Sequence, residues 1–277
     1  PVNGPHQGGW VTSTDGRDWF LHFQDVIELG RIIHLQPVCF VDGWPFMGQD
    51  TDGDGIGEPV AEWNMPAEDM PEYEIVRGDD FSSEKLGLQW QWQANPNPEN
   101  YSLTAVPGHL RLYCRRNPDR DNLLWYAPNV LTQIPQQKEF SMIVKLELHG
   151  EKTGDFGGIG MVGHSYGYAG LYQGAEGPEL RCYEGTVSEK MFLGEAEERC
   201  ILKVPAEGSC LWLKLSVSGD KTYRFSWSAD GTVFQKLEPV FTLCRATWTG
   251  AKLCLWSCSR ENEESAGYCD YEYVLFE

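Results

Sequence analysis

Four stretches of the chain carry residue types and spacings that could do chemistry. His6 lies in GPHQGG (4–9), a Gly/Pro-rich turn just ahead of a strand-like run. An imidazole at such a junction can serve as a base, a metal ligand or a substrate contact. On the residues alone, an ordinary structural or exposed histidine is the preferred reading. Asp50, Asp52 and Asp54 alternate in DTDGDGIGE (50–58), with Gly55 in the sixth place. Carboxylates at places one, three and five with glycine at six are how an EF-hand loop begins. The twelfth place, where a bidentate Glu belongs, holds Ala61, and Glu62 comes one residue late. No flanking helix is evident, so an acidic hairpin turn is preferred over a Ca²⁺ site there. Trp90 and Trp92 fall on one face of LQWQW and form either a sugar-stacking platform or part of the core. Phe156, in the Gly-rich TGDFGGIG (153–160), reads as an exposed loop aromatic: a recognition residue, or a staple closing a strand end. There is no P-loop or HExxH pattern, and no two carboxylates stand out as an acid–base pair.

The elements that must position these residues read as strands. Residues 1–65 contain WVTST (10–14), DWFLHF (18–23), IIHLQPVCFV (32–41) and WPFMG (44–48), with the hairpin signals Asp15-Gly16 and Asp42-Gly43 between them. That is one four-stranded sheet, the size of a propeller blade and too small to be stable alone. Residues 66–80 are acidic and Pro-containing without apolar periodicity, and read as a linker. Residues 81–277 hold many runs that alternate apolar and polar, among them Phe140, Met142, Val144, Leu146 and Leu148, and Tyr223, Phe225 and Trp227. Period two means half-buried antiparallel strands, and so many of them mean a two-sheet jelly-roll sandwich. The expected fold is all-β throughout.

Charge narrows the partners. Lys and Arg number 22 against 41 Asp and Glu, a net charge of -19. That field repels nucleic acid and anionic membrane, and suits a neutral ligand or a cation. No apolar run is long enough to span a membrane as a helix. The nine cysteines cannot all pair internally, show no zinc-type spacing, and sit partly in apolar strands, so buried free thiols are expected. The chain begins at Pro1 without a signal-like segment, which reads as a start inside a longer protein. Localisation is left open between cytoplasmic and extracellular or periplasmic.

One stretch is more specific. HFQD, then GRIIHLQPVCFVDGWPFMG, within 22–48, preceded by GPHQGGWV and followed by Gly57-Glu58-Pro59, resembles the last propeller blade of glycoside hydrolase family 43. Those enzymes are β-xylosidases and α-L-arabinofuranosidases. DDFSSEKLGLQWQWQ, FGGIGMVGHSYGYAGL and DYEYVLFE resemble strands of the same family's C-terminal sandwich, so the resemblance covers nearly the whole chain. It implies the final blade of a five-bladed β-propeller (1–65), a linker (66–80) and a concanavalin-like jelly-roll sandwich (81–277). It implies inverting hydrolysis of xylan-type pentosides, in which one carboxyl protonates the leaving oxygen and another activates water. The family's three catalytic carboxylates lie in earlier blades, so none is assigned in this chain, and activity of the chain alone is not expected.

The resemblance also assigns roles. His6 matches a histidine that helps hold a Ca²⁺ at the propeller centre, reversing the bland reading above. Arg31 matches an arginine that reaches the sugar pocket, where its guanidinium fork can bond sugar hydroxyls and carboxylates. Phe156 falls where some relatives project a loop phenylalanine onto the pocket rim, and Gln7 and Gln24 are further pocket candidates. The implied partners are a xylo-oligosaccharide or arabinoxylan-derived sugar and an upstream propeller segment or second polypeptide. The competing reading is a non-catalytic carbohydrate-binding sandwich with a vestigial blade, in which Trp90 and Trp92 do the work.

Overall fold

A computed structural model describes residues 6–26, 28–67, 70–116, 121–188, 195–246, 248–261 and 265–277. The chain divides into two compact units, 1–75 and 76–277. The described residues contain no α-helix, only strands and two single-turn 3₁₀ segments, and no helix long and apolar enough to cross a membrane.

The first unit is one antiparallel sheet of four strands in chain order: β1 (His6–Thr12), β2 (Asp18–Val26), β3 (Gly30–Val41) and β4 (Trp44–Met47). β1 starts at His6 rather than at Trp10, so residues 6–9 lie within the sheet instead of ahead of it. The β3–β4 hairpin turns on Asp42 and Gly43, both with positive φ (51° and 84°). Two such residues make the turn whose twist matches that of the strands, which is why Asp-Gly marks it. Gln36, almost fully buried, donates to and accepts from the Val60 backbone, tying the 56–60 segment onto the sheet.

The second unit is a sandwich of two seven-stranded sheets. In chain order its strands are β5 (Gln91–Trp92), β6 (Tyr101–Ser102), β7 (Leu110–Tyr113), β8 (Asn129–Gln133) and β9 (Phe140–His149). There follow β10 (Asp155–Val162), β11 (Ser165–Gly174), β12 (Gly177–Val187), β13 (Ala196–Pro205) and β14 (Cys210–Val217). β15 (Thr222–Ser228), β16 (Gln235–Thr242), β17 (Lys252–Ser259) and β18 (Tyr268–Phe276) complete it. One sheet runs β13-β12-β11-β10-β17-β8-β5 and the other β16-β15-β14-β9-β18-β7-β6. Between them lie Met142, Val144, Leu146, Leu213, Leu215 and Phe225 from one sheet and Ile159, Met161, Leu171, Leu180 and Leu255 from the other. The period-two pattern thus buries as expected, except that Trp227 is only half-buried. Trp90 is core, its indole N–H donating to Asp79 at 2.7 Å, and Trp92 packs half-buried beside it against Tyr101.

All nine cysteines are free; Cys114, Cys182, Cys254, Cys258 and Cys269 are buried, while Cys39, Cys200 and Cys210 are exposed. Burial pushes the Cys182 and Cys258 thiols up to about 12. A buried thiol neither ionises nor meets reagent. Titration of the native chain with a thiol-reactive disulfide should therefore modify Cys39, Cys200 and Cys210 promptly. The five buried thiols should react only after unfolding; prompt native labelling of Cys254 or Cys269 would contradict this packing.

Candidate functional site

The blade brings His6 and Arg31 together on one face, around Phe23. In an antiparallel sheet, residues directly opposite share a face, and alternate residues along a strand share it too. Phe23 lies opposite Ile33, and Arg31 is two residues before Ile33 on β3. The Arg31 guanidinium stands over the Phe23 ring at 4.5 Å from its centroid. On the other side, the His6 imidazole stacks on the same ring, centroids 5.5 Å apart and planes 12° apart. His6 reaches this position through a bulge. Gly8 pairs with His22 and His6 with Phe23, so Gln7 is the extra residue, with φ 22°. Bulges re-aim side chains, and without this one His6 would fall on the opposite face. Gly8 completes the device: a Cβ there would meet the Leu21 carbonyl oxygen at 2.1 Å and the Phe20 ring at 2.5 Å. Gln7 is therefore an exposed bulge residue, and Gln24, next along from Phe23, falls on the opposite face from His6 and Arg31.

That opposite face holds a pair sequence reasoning passed over, His22 and His34 of HFQD and HLQP. They are direct cross-strand partners with rings stacked 5.4 Å apart. His22 is 2% exposed, and its Nδ1–H donates to the Phe23 carbonyl. Neither Nε2 has a hydrogen-bond partner. Burial first, and then the neighbouring His22, push the His34 pKa below its ordinary value.

The DTDGDGIGE loop gathers Asp50, Asp52, Asp54 and Glu58, with one oxygen from each within 4.8 Å of the others. Most of these carboxylates already accept from the loop's own amides: Asp50 from Gly53 and Gly55, Asp54 from Ile56, Glu58 from Thr51. The loop is closed by an antiparallel bridge between Gln49 and Glu58, not by helices. Hard oxygen donors of this kind suit a divalent cation, and an exposed acidic hairpin needs none. Among the described residues no other group of three His, Cys, Asp or Glu donors lies close enough for a metal, and His6 is not part of this one.

Phe156 corrects an expectation. It is not in a loop but is the second residue of β10, with no exposed surface. It packs edge-on against Trp256 (4.6 Å) and Tyr172 (5.4 Å), with Tyr168 and Tyr183 beside it. It cannot stand at a pocket rim. The glycines after it serve close packing rather than a loop: a Cβ on Gly157 would strike Cys269 at 2.6 Å, and one on Gly158 the Ala169 carbonyl oxygen at 2.1 Å. Asp155, fully buried, anchors the start of the strand by accepting from the Glu151 and Lys152 amides and the Ser265 hydroxyl.

On the same outer face of that sheet, Glu198 has a fully buried side chain. It accepts from the Leu124 amide (2.6 Å), Tyr166 (2.8 Å), Tyr168 (2.5 Å) and Arg260 (2.8 Å). Burial, and then the Glu198 charge, raise the Tyr168 hydroxyl well above its ordinary range, so it remains a donor. A carboxylate with four donors is a structural clamp rather than an acid or base. Beside it, at the mouth of the sandwich, lies a groove of about 470 Å³ lined by Ser165, Glu184, Thr186, Glu197, Arg199 and Thr242 among others.

Comparison with known proteins places this architecture. The family described as the β-xylosidase C-terminal concanavalin A-like domain of GH43 matches residues 78–277. A β-xylosidase of Formosa agariphila is 30% identical over 293 residues, covering 98% of this chain and 47% of the relative. A non-reducing-end α-L-arabinofuranosidase of Bacteroides ovatus is 40% identical over 86 residues, 31% of this chain and 15% of the relative. The solved structure of a bifunctional GH43-CE protein of Bacteroides eggerthii superposes with a TM-score of 0.79 at 28% identity, over 99% of this chain and 34% of that one. The chain spans about half the length of the curated relatives it matches along its length, 47% and 45%.

Two outcomes follow from these geometries. Glu198→Ala should destabilise the sandwich by about 3–5 kcal/mol, because it leaves Arg260 buried without its partner; chemical denaturation measures it, and a loss under ~1 kcal/mol would contradict the clamp. For the histidine pair, the unfolded imidazole takes up a proton more readily than folded His34. This contribution is therefore complete above the ordinary value of 6.5 and is lost as pH falls through and below it. Unfolding midpoints of the blade followed from about pH 7.5 to about 5.5 should drop, and His34→Gln should flatten the drop.

Proposed function

The chain belongs to the β-xylosidase C-terminal concanavalin A-like domain family of GH43, and from that premise we propose that it is the C-terminal portion of an inverting exo-glycosidase. The substrate class is xylan-type pentosides, cleaved as a β-xylosidase, an α-L-arabinofuranosidase or both. The supporting observation is the blade face that carries His6, Phe23 and Arg31. It continues into Leu21, Ile33 and Leu35, which are 40%, 65% and 38% exposed. Such a sheet needs a neighbour over its apolar side chains. The neighbour proposed is the upstream part of a five-bladed propeller, carried on a preceding segment or a second polypeptide.

In this reading the general acid and base belong to that upstream part, since inversion needs two carboxyls flanking the glycosidic bond with room for water. What this chain adds is Arg31. Its planar fork donates to sugar hydroxyls or to the catalytic carboxylates, fixing their orientation without changing charge during the reaction. A propeller-centre Ca²⁺ would polarise or orient water and carboxylates if bound. Of the described residues, His6 alone is a candidate ligand for it, and no further donor cluster surrounds that imidazole. The rest of any such cage would come from outside this chain, and His6 would contribute one nitrogen.

The second reading, a carbohydrate-binding sandwich, has the groove at Ser165, Thr186 and Glu197 in its favour, with hydroxyls and carboxylates suited to a neutral polyol. Trp90 and Trp92 do not support it, being core or half-buried. The discriminating experiment assays the complete gene product and the 277-residue chain on 4-nitrophenyl-β-xyloside and 4-nitrophenyl-α-L-arabinofuranoside, with and without a chelator. Hydrolysis by the complete product and none by the chain alone is expected. Turnover by the purified chain would overturn the placement of the carboxylates upstream. Xylan binding without hydrolysis by the complete product would favour the second reading.

A further inference from the structure

We infer that Phe23 is a positioning residue, the platform that holds His6 and Arg31 in fixed relation to one another. The inference rests on the reading that puts Arg31 at the sugar pocket.

The geometry is specific to one ring. Phe23 pairs across the strands with His6 on one side and Ile33 on the other, so it is the middle residue of a three-strand rung. The bulge at Gln7 exists in the same register, and its consequence is that His6 lands on this rung and on this face. Arg31 comes from the opposite strand on the diagonal, directly after Gly30, whose φ of 80° closes the β2–β3 turn. The two cationic or cation-capable side chains share one ring as a neighbour. Both meet Phe23, the imidazole parallel to the ring and the guanidinium over it.

Arg31 carries its guanidinium on a long stem at an exposed position. A long stem has many rotamers open to it, and a hydrogen-bonding fork acts only when its plane is set. Stacking over an aromatic face restricts that plane through the ring's quadrupole and its flat surface. An aliphatic side chain of similar volume supplies neither. His6 gains the same restriction from the other side, and a parallel stack sets its ring plane while leaving both nitrogens free to act at the ring edge. Phe23 touches neither sugar nor metal in this arrangement; it acts through its two neighbours.

The test has a spectroscopic part and a kinetic part. In the 277-residue chain, with no substitution, ring current from Phe23 should place the Arg31 Cδ protons and the His6 Cε1 proton away from their random-coil NMR positions. Phe23→Leu should return both signals toward random coil, and Phe23→Tyr, which keeps the ring, should preserve them. In the complete gene product, Phe23→Leu should lower kcat/KM roughly tenfold, chiefly through KM, and Phe23→Tyr should stay within about twofold of the unsubstituted enzyme. Random-coil shifts for both residues in the unsubstituted chain would overturn the platform. So would a Phe23→Leu enzyme with unchanged kinetics despite moved signals. Arg31→Lys separates the two levels: unchanged kinetics for that variant would overturn the sugar-pocket reading itself, while the NMR result still decides whether Phe23 orders its neighbours.

Discussion

The sandwich depends on how closely β10 can approach the strands around it. Its residues alternate between two buried environments, the inter-sheet core and the aromatic outer face. Gly157 has no room for a Cβ against Cys269 of the facing sheet, and Gly158 none against Ala169 of β11. Closer approach brings more apolar surface into contact, and the interior gains in dispersion what it loses in side-chain volume. Ile159 and Met161 pack into the inter-sheet core, and Phe156 into the aromatic outer face. Polar groups buried beside such a strand are costly without partners; of the two buried carboxylates nearby, Glu198 is fully engaged, while Asp155 takes all its donors on Oδ2 and leaves Oδ1 without one. Asp155 is anchored by amides at the strand's start, and Glu198 carries four donors on the outer face.

The first unit is built on the opposite terms. Its four strands bury little, and apolar side chains remain open on the face that also holds His6, Phe23 and Arg31. Burial in this sheet is local: Gln36 ties down the segment at Val60, and His22 and His34 stack against one another with unpartnered Nε2 atoms. A well-packed sandwich and an under-covered sheet in the same chain make sense if the sheet is completed from elsewhere. That is the physical ground for reading this polypeptide as the back half of a glycosidase.

Much of this was legible from residue pattern. Alternation of apolar and polar residues predicts the sandwich strands because a pleated strand has period two, and Asp42-Gly43 predicts a hairpin because such residues accept its positive φ angles most readily. The density of HFQD, GR, HLQP and DGWP is enough to identify the family. The boundary of β1 was not legible. A classic alternation count cannot see a bulge, and at Gln7 the bulge shifts the register by one residue and so decides which way His6 faces.

Phe156 shows where local reading stops. Glycines on either side of an aromatic look like a loop, because glycine is the residue of turns. In β10 they are present because neighbouring strands come too close for side chains, a property of partners at positions 169 and 269 that are distant in sequence. The same holds for Glu198, which is one acidic residue among many until Tyr166, Tyr168, Arg260 and the Leu124 amide converge on it. Residue types and their spacing by themselves determined the class of fold and the family, since these follow from periodicity and from motifs that are contiguous in the chain. Which side chains meet, which face they share and which are buried was decided only by the tertiary structure, because burial and pairing depend on strands brought together from far apart in the chain.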